Sequence, residues 1–299
     1  MSFAARLTSL WPARRRAARA STVFADSTMA RAAWDRRRRA AGRYGFWGAL
    51  LGALVAFIAF APAAWLASAL ASATGQRLLL ADARGTVWSG SATVVLTGGP
   101  GSRDAAALPG RLAWALGLKG TALELRLRQA CCLNGTVPLL LRPGLGRLSV
   151  TLPSMPEGIG EWPAAWLAGL GTPWNTLQLG GSLRLASPGA TVESVQGRWR
   201  LDGGLALELA SISSRLTTLD ALGSYRADIR GNAAGGDTAT LQLSTLGGPL
   251  QLSGAGQWAG PKFRFRGEAV AAEDAAAALD NLLNIIGRRQ GARSIISIG

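Results

Sequence analysis

Histidine is absent from all 299 residues. That removes the commonest general base near neutral pH and the commonest zinc ligand. The two cysteines, Cys131 and Cys132, are adjacent. Neighbouring positions of a strand face opposite sides, so the spacing predicts two separate thiols, one buried and one not; a bond between them would need a strained turn. Acidic residues are few and scattered. Glu273 and Asp274 are the one adjacent pair, with Asp280 on the same alanine-rich stretch, which reads as a helix start whose carboxylates complement the dipole. No phosphate-binding loop, nucleophile elbow or metal-ligand spacing is present, and Gly85-Thr86-Val87-Trp88-Ser89-Gly90 matches none of them. Acid–base catalysis favours groups tuned near neutrality, so these residues predict no enzyme, no cofactor and no metal.

The elements around them start with an uncharged stretch, Tyr44 to Gln76, whose core FWGALLGALVAFIAFAPAAWLASA runs from Phe46 to Ala69. A bilayer-spanning helix needs about 20 apolar residues. Residues 1–43 carry eleven arginines against Asp26 and Asp35, while Arg77 and Arg84 are the next basic residues downstream. The basic side of a span stays in the cytoplasm. The expectation is therefore a cytoplasmic basic tail over 1–43, a transmembrane helix over 44–73 and a periplasmic domain over 74–299. A cleaved signal peptide competes for the same stretch, with ALASA as its cleavage site, but a signal's apolar region is about 7–15 residues and this run is longer.

Beyond residue 74 the period changes. Leu123, Leu125 and Leu127 alternate with Glu124, Arg126 and Arg128, and short alternating runs recur to the C-terminus between Gly, Pro, Asn and Asp. This predicts antiparallel strands with one dry and one wet face. Hairpin turns are expected at Asp202–Gly204, Asn232–Asp237, Gly247–Pro249 and Trp258–Pro261. The 39 glycines let strands bend. The fold class is mainly β: a curved antiparallel sheet, a groove or half-barrel, with one or two short helices, expected over 160–170 and 271–286. Gly287 is placed as the C-cap of the second, and Ser294–Ile298 as a final strand. The formal net charge of +15 sits mostly before residue 44. Pairs such as Arg198 and Arg200, or Arg264 and Arg266, fall at alternate positions and read as a solvated sheet face, so nucleic acid is not the expected partner. Trp88, Trp114, Trp162, Trp166, Trp174, Trp199 and Trp258 lie beyond the apolar stretch. They read first as core filling, with a binding surface as the other reading.

Several segments carry a family resemblance. GTVWSG (85–90) is followed by LPGRLAWAL (108–116), LGSYRADIRG (222–231), GAGQWAGPKFRFRGEA (254–269) and the closing LLNIIGRRQGARSIISIG (282–299). Together they resemble protein N of the bacterial type II secretion system. The resemblance marks Gly85, Val87, Trp88, Gly90, Trp258, Leu282, Leu283, Gly287, Arg288 and Arg289 as candidate interaction residues. It implies an accessory inner-membrane subunit, without catalytic activity, of a machine that exports folded proteins from the periplasm across the outer membrane. Implied partners are other inner-membrane subunits of that machine and, through one helix, the bilayer; no small-molecule substrate is implied. The tail over residues 1–35 is longer and more arginine-rich than is usual for that family: a basic extension lying on anionic lipid, or the product of an upstream start codon. Two roles suit an apolar concave sheet. One is an interaction protein that pairs an edge strand with a neighbour; the other is a carrier holding a lipid or hydrophobic ligand.

Overall fold

The structure, a computed structural model, describes residues 44–195, 198–231, 238–259 and 262–299. Residues 44–59 form a helix, α1, and Ala63–Ala73 a second, α2. The sequence predicts one helix through both. The chain is instead extended at Pro62, with φ −69° and ψ 146°, because proline has no amide hydrogen to continue the ladder. Among the described residues no helix is long and apolar enough to cross a membrane. The chain divides into two compact units after Phe60. In the second, Ala63 of α2 is buried with Ala92 and Trp114, so residues 63–73 fold with the sheet domain rather than with the preceding helix.

That domain is one open antiparallel sheet. Its first half comprises β1 (Leu78–Gly85), β2 (Ser89–Thr97), β3 (Ala105–Ala107), β4 (Leu112–Lys119), β5 (Ala122–Arg128), β6 (Thr136–Gly144), β7 (Arg147–Leu152) and β8 (Met155–Pro163). A 3-10 helix, Ala164–Leu170, and the short α3, Trp174–Leu177, follow. The second half is β9 (Leu179–Val195), β10 (Arg198–Ser214), β11 (Gly223–Gly231), β12 (Thr238–Gly247), β13 (Leu250–Ala259) and β14 (Lys262–Ala271). Then come a 3-10 turn at Glu273–Ala275, α4 (Ala276–Ile286), β15 (Arg288–Gln290) and β16 (Arg293–Ile298). The order across the sheet is β1-β2-β4-β5-β6-β7-β9-β10-β11-β12-β13-β14-β16-β15, with β3 beside β2 and β8 beside β9.

The sheet is strongly curved. Leu78 on β1 and Leu207 on β10 line one hollow, although seven strand steps separate them in the order. In a flat sheet that distance would be roughly 33 Å. Curling brings the alternate apolar residues together on the inner face and leaves Arg126, Arg128, Arg264 and Arg266 exposed on the outer one. The main core lies in the second half, where Leu279, Leu282 and Leu283 of α4 are at most 1 % exposed.

Local details depart from the sequence reading. Residues 160–163 belong to β8, and the helical turn starts only after Pro163, which is extended. Chain reversal is absent at Asp202–Gly204, because β10 runs straight through it. Gly203 has φ +87° there, and a Cβ on it would lie against the Gly189 carbonyl of β9, so this glycine serves a close strand approach. The predicted turn at 232–237 and the tip of the one at 258–261 fall outside the described residues. Cys131 and Cys132 sit in the turn between β5 and β6, not on a strand, and they are joined as a vicinal disulfide. A turn releases the two side chains from the opposed directions that a strand imposes, which corrects the expectation of separate thiols.

Candidate functional site

The candidate residues form two groups at opposite ends of the strand order, plus Trp258 between them. Gly85–Gly90 makes the β1–β2 hairpin. Gly85 has φ +91° and pairs with Gly90, and the Thr86 amide donates to the Ser89 carbonyl at 2.8 Å. The Val87 amide donates to the Ala61 carbonyl at 2.9 Å, and Pro62 forms a bridge with Thr86. The hairpin thus holds the point where the chain enters the domain. Trp114 of β4, 4 % exposed, closes it from the inner side. Its indole N–H donates to the Thr86 and Val87 carbonyls, each at 3.2 Å, as a buried indole requires. A Cβ on Gly90 would lie 2.5 Å from both the Trp114 ring and the Arg84 carbonyl. Gly90 is therefore required for space and not for a positive φ. Trp88 offers its carbonyl to the Leu116 amide at 2.6 Å, while its side chain is 37 % exposed.

Arg111 and Trp114, both in the LPGRLAWAL segment, were not among the sequence candidates. Arg111 reaches Asp82 Oδ2 at 2.7 Å, the Asp82 carbonyl at 2.6 Å and the Ser91 carbonyl at 2.9 Å. It thereby stitches β4 to the β1 bulge between Ala81 and Arg84. The Arg111 and Arg84 guanidiniums beside Asp82 hold its carboxyl below the ordinary value. The signal that could have singled out both residues was their position inside a quoted family segment.

The second group lies on α4, β15 and β16. Leu282 and Leu283 are in the core. Gly287 has φ −168° and ψ −172°, an extended conformation and not a left-handed cap. What it requires is room, since a Cβ would stand 2.5 Å from the Ile295 carbonyl and 2.7 Å from Ser294 Oγ. Arg289 turns back to Asp280 of α4 at 2.7 Å and donates to the Gly291 carbonyl at 2.7 Å. Arg288 is exposed and pairs in register with Ile295. β16 pairs with β14 from Phe265↔Ile298 to Val270↔Arg293. On its other side β15 covers only Arg293 to Ile295, so among the described residues Ile296–Ile298 pair on one edge alone. Trp258 packs on Phe263, ring centroids 4.3 Å apart.

Two apolar hollows remain on the inner face. One, of about 470 Å³, is lined by Leu78, Val94, Leu108, Trp162, Trp166 and Leu207 among others. The other, of about 440 Å³, is lined by Trp174, Tyr225, Leu243, Phe265, Leu282 and Ile296 among others. They abut, for Leu207 of the first pairs directly with Ala227 of the second. The Tyr225 hydroxyl donates to the Leu250 carbonyl at 3.0 Å, and burial pushes its pKa up. Helix α4 and the segment after Trp162 thus cover the concave face only in part. Among the described residues no three His, Cys, Asp or Glu side chains gather as metal ligands.

A family model described as type II secretion system (T2SS), protein N, matches residues 76–296. No curated protein and no solved structure matches the chain.

Proposed function

Because the chain belongs to the family of type II secretion system protein N, we propose that it is an accessory subunit of that apparatus which works by protein contact at the inner membrane and not by catalysis. In this reading the apolar residues from Tyr44 onward hold the protein to the membrane, residues 1–43 lie on the cytoplasmic side and the sheet domain lies in the periplasm. The exposed apolar side chains of α1, such as Phe46, Leu50, Leu54 and Phe57, support the anchor, and the one-sided arginine block supports the orientation. The contact itself is supported by one observation: the outer edge of β16 is covered by only three residues of β15. An uncovered strand edge is a template for another strand. The partner would be another inner-membrane subunit of the secretion machine.

In-cell photo-crosslinking from Ser297, on that edge, tests this, with Arg128 on a sheet interior as control. A secretion subunit recovered from Ser297 and not from Arg128 is the expected result. Recovery from neither position, in cells whose secretion depends on the protein, would overturn the edge as the contact. Reporter fusions after Arg39 and after Gly299 check the orientation: activity outside the cytoplasm is expected only for the second.

A further inference from the structure

The hollow beneath α4 has features that edge pairing does not use. Its lining presents no polar surface, and the one hydroxyl among its walls, that of Tyr225, is already occupied by the Leu250 carbonyl. A sugar, nucleotide or extended peptide placed there would lose hydrogen bonds to water and recover none, which is strongly unfavourable. A helix satisfies its own backbone, but two turns of one, about 10 Å across and 11 Å long, need roughly 800 Å³. The hollow offers about 440 Å³, within the range of small-molecule sites. What fits is a hydrocarbon chain.

The walls are shaped for such a chain. Phe265 lies over Gly254 and Gly267, and Phe263 over Gly256, so close that a Cβ on any of these glycines would come within 2.9 Å of a ring. Glycine at these positions lets the rings lie flat on the sheet and keeps the volume above them open. Across the sheet, Leu241, Phe265 and Ile298 also meet a polar trough of about 670 Å³ on the outer face. Arg264 and Arg266 bracket Phe265 in sequence, so they stand in that trough on the outer face and point away from the hollow.

We propose that the hollow lined by Tyr225, Leu243, Leu252, Phe265, Leu282 and Ile296 binds one acyl chain of a phospholipid. The neighbouring hollow at Trp162 and Trp166 extends the same apolar path. This site stands independently of the β16 contact, which concerns the edge of the sheet and not its inner face.

The test uses the full chain reconstituted into vesicles of phosphatidylglycerol carrying a photoreactive diazirine near the end of one acyl chain. After irradiation and proteolysis, labelled peptides are mapped. Labelling within 238–259 and 262–271 is expected, in addition to that of α1. Ala227→Trp fills the hollow from its wall. Each methylene it displaces should lower occupancy about four-fold, from the transfer energy of one CH2, so labelling of these peptides should fall while that of α1 stays. Should Ala227→Trp fail to fold, competition by unlabelled myristate on the unaltered chain must reduce the same labelling. Labelling confined to α1, or labelling of the sheet that neither the tryptophan nor the competitor reduces, overturns the acyl-chain site.

Discussion

The two ends of the sheet solve the same problem in different ways. At the β1–β2 hairpin an indole and an arginine-linked bulge lock together: Trp114 fills the space over Gly90 and satisfies two carbonyls at once, and the apolar hollow beside Leu78 and Val94 lies away from this clasp. At the β14–β16 end three leucines of α4 are fully buried, yet about 440 Å³ of apolar space stays beside them. The first end is specified by directional bonds and fit, the second by burial. Directional contacts tolerate little change in shape, whereas burial tolerates shape change but not loss of apolar area. A clasp suits the point where the chain enters the domain, and open volume suits a surface that receives something.

The sharpest way to break this contrast is to remove the burial at the second end. Truncation after Gly291 deletes β16 and uncovers the side of α4 that carries Leu282 and Leu283. Each buried leucine contributes roughly 1.5–3 kcal/mol, so the truncated protein should lose most of its folded population. Denaturant unfolding followed by tryptophan fluorescence would show it. A midpoint equal to that of the full chain would mean that β16 is a dispensable tail. Ile298 is 53 % exposed, so the effect comes from Ile296, from the ladder with β14 and from the leucines that β16 covers. Next in size, Leu282→Ala should cost about 2–5 kcal/mol, because the side chain is 1 % exposed and the site already contains empty space.

At the clasp the comparison turns on shape. Gly90→Val should cost about 1–3 kcal/mol through overpacking. Pairing it with Trp114→Leu should recover part of the loss, with a coupling of about 0.5–3 kcal/mol in a double-mutant cycle. Additive losses would show that the Arg84 carbonyl, not the indole, is the obstruction. Acid should act weakly and mostly at this end. The Asp82 carboxyl is held below its ordinary value by Arg111 and then Arg84. Its stabilisation is therefore fully present above that ordinary value of 3.8 and is lost as pH falls through the lower folded value. Thermal melts between about pH 5 and pH 2.5 should fall less steeply in Asp82→Asn than in the parent; parallel curves would remove Asp82 from the clasp. The smallest effect is expected from Cys131→Ser with Cys132→Ser. A bond between adjacent residues closes no chain loop whose entropy could matter, so melting temperature and secretion should both stay unchanged. A large drop in either would give the vicinal disulfide a role that its place in the β5–β6 turn does not suggest.

Much of the outline was legible in the residues. Alternation such as Leu123, Leu125 and Leu127 predicts strands because side-chain direction on a strand is set locally, and β5 covers them. The stripe Leu279, Leu282, Leu283 and Ile286 predicts a helix with one buried face, and α4 is that helix, starting five residues later than expected. Local rules failed where a distant partner decides. Gly90 and Gly287 invite an explanation by backbone freedom, but each is a glycine because something from elsewhere in the chain, the Trp114 ring or the Ile295 carbonyl, occupies the place of a Cβ. Asp202-Gly203-Gly204 has the composition of a turn and lies inside a seventeen-residue strand, since the pairing of β10 with β9 and β11 outweighs local turn preference.

By itself the sequence determined the element types, the mainly β class, the one-sided arginine block and the family, because each follows from the order and spacing of residues along the chain. It also carried the segments around Arg111, Trp114, Tyr225 and Phe265 without saying what they do. Tertiary structure decided that residues 63–73 join the sheet domain, that GTVWSG grips Ala61 and Pro62, that β16 keeps a partly uncovered edge, and that two hollows persist under α4 and beside Trp162. The physical reason is curvature. A hollow lined by strands up to seven steps apart depends on the accumulated bend of the whole sheet, and no local run of residues encodes that sum.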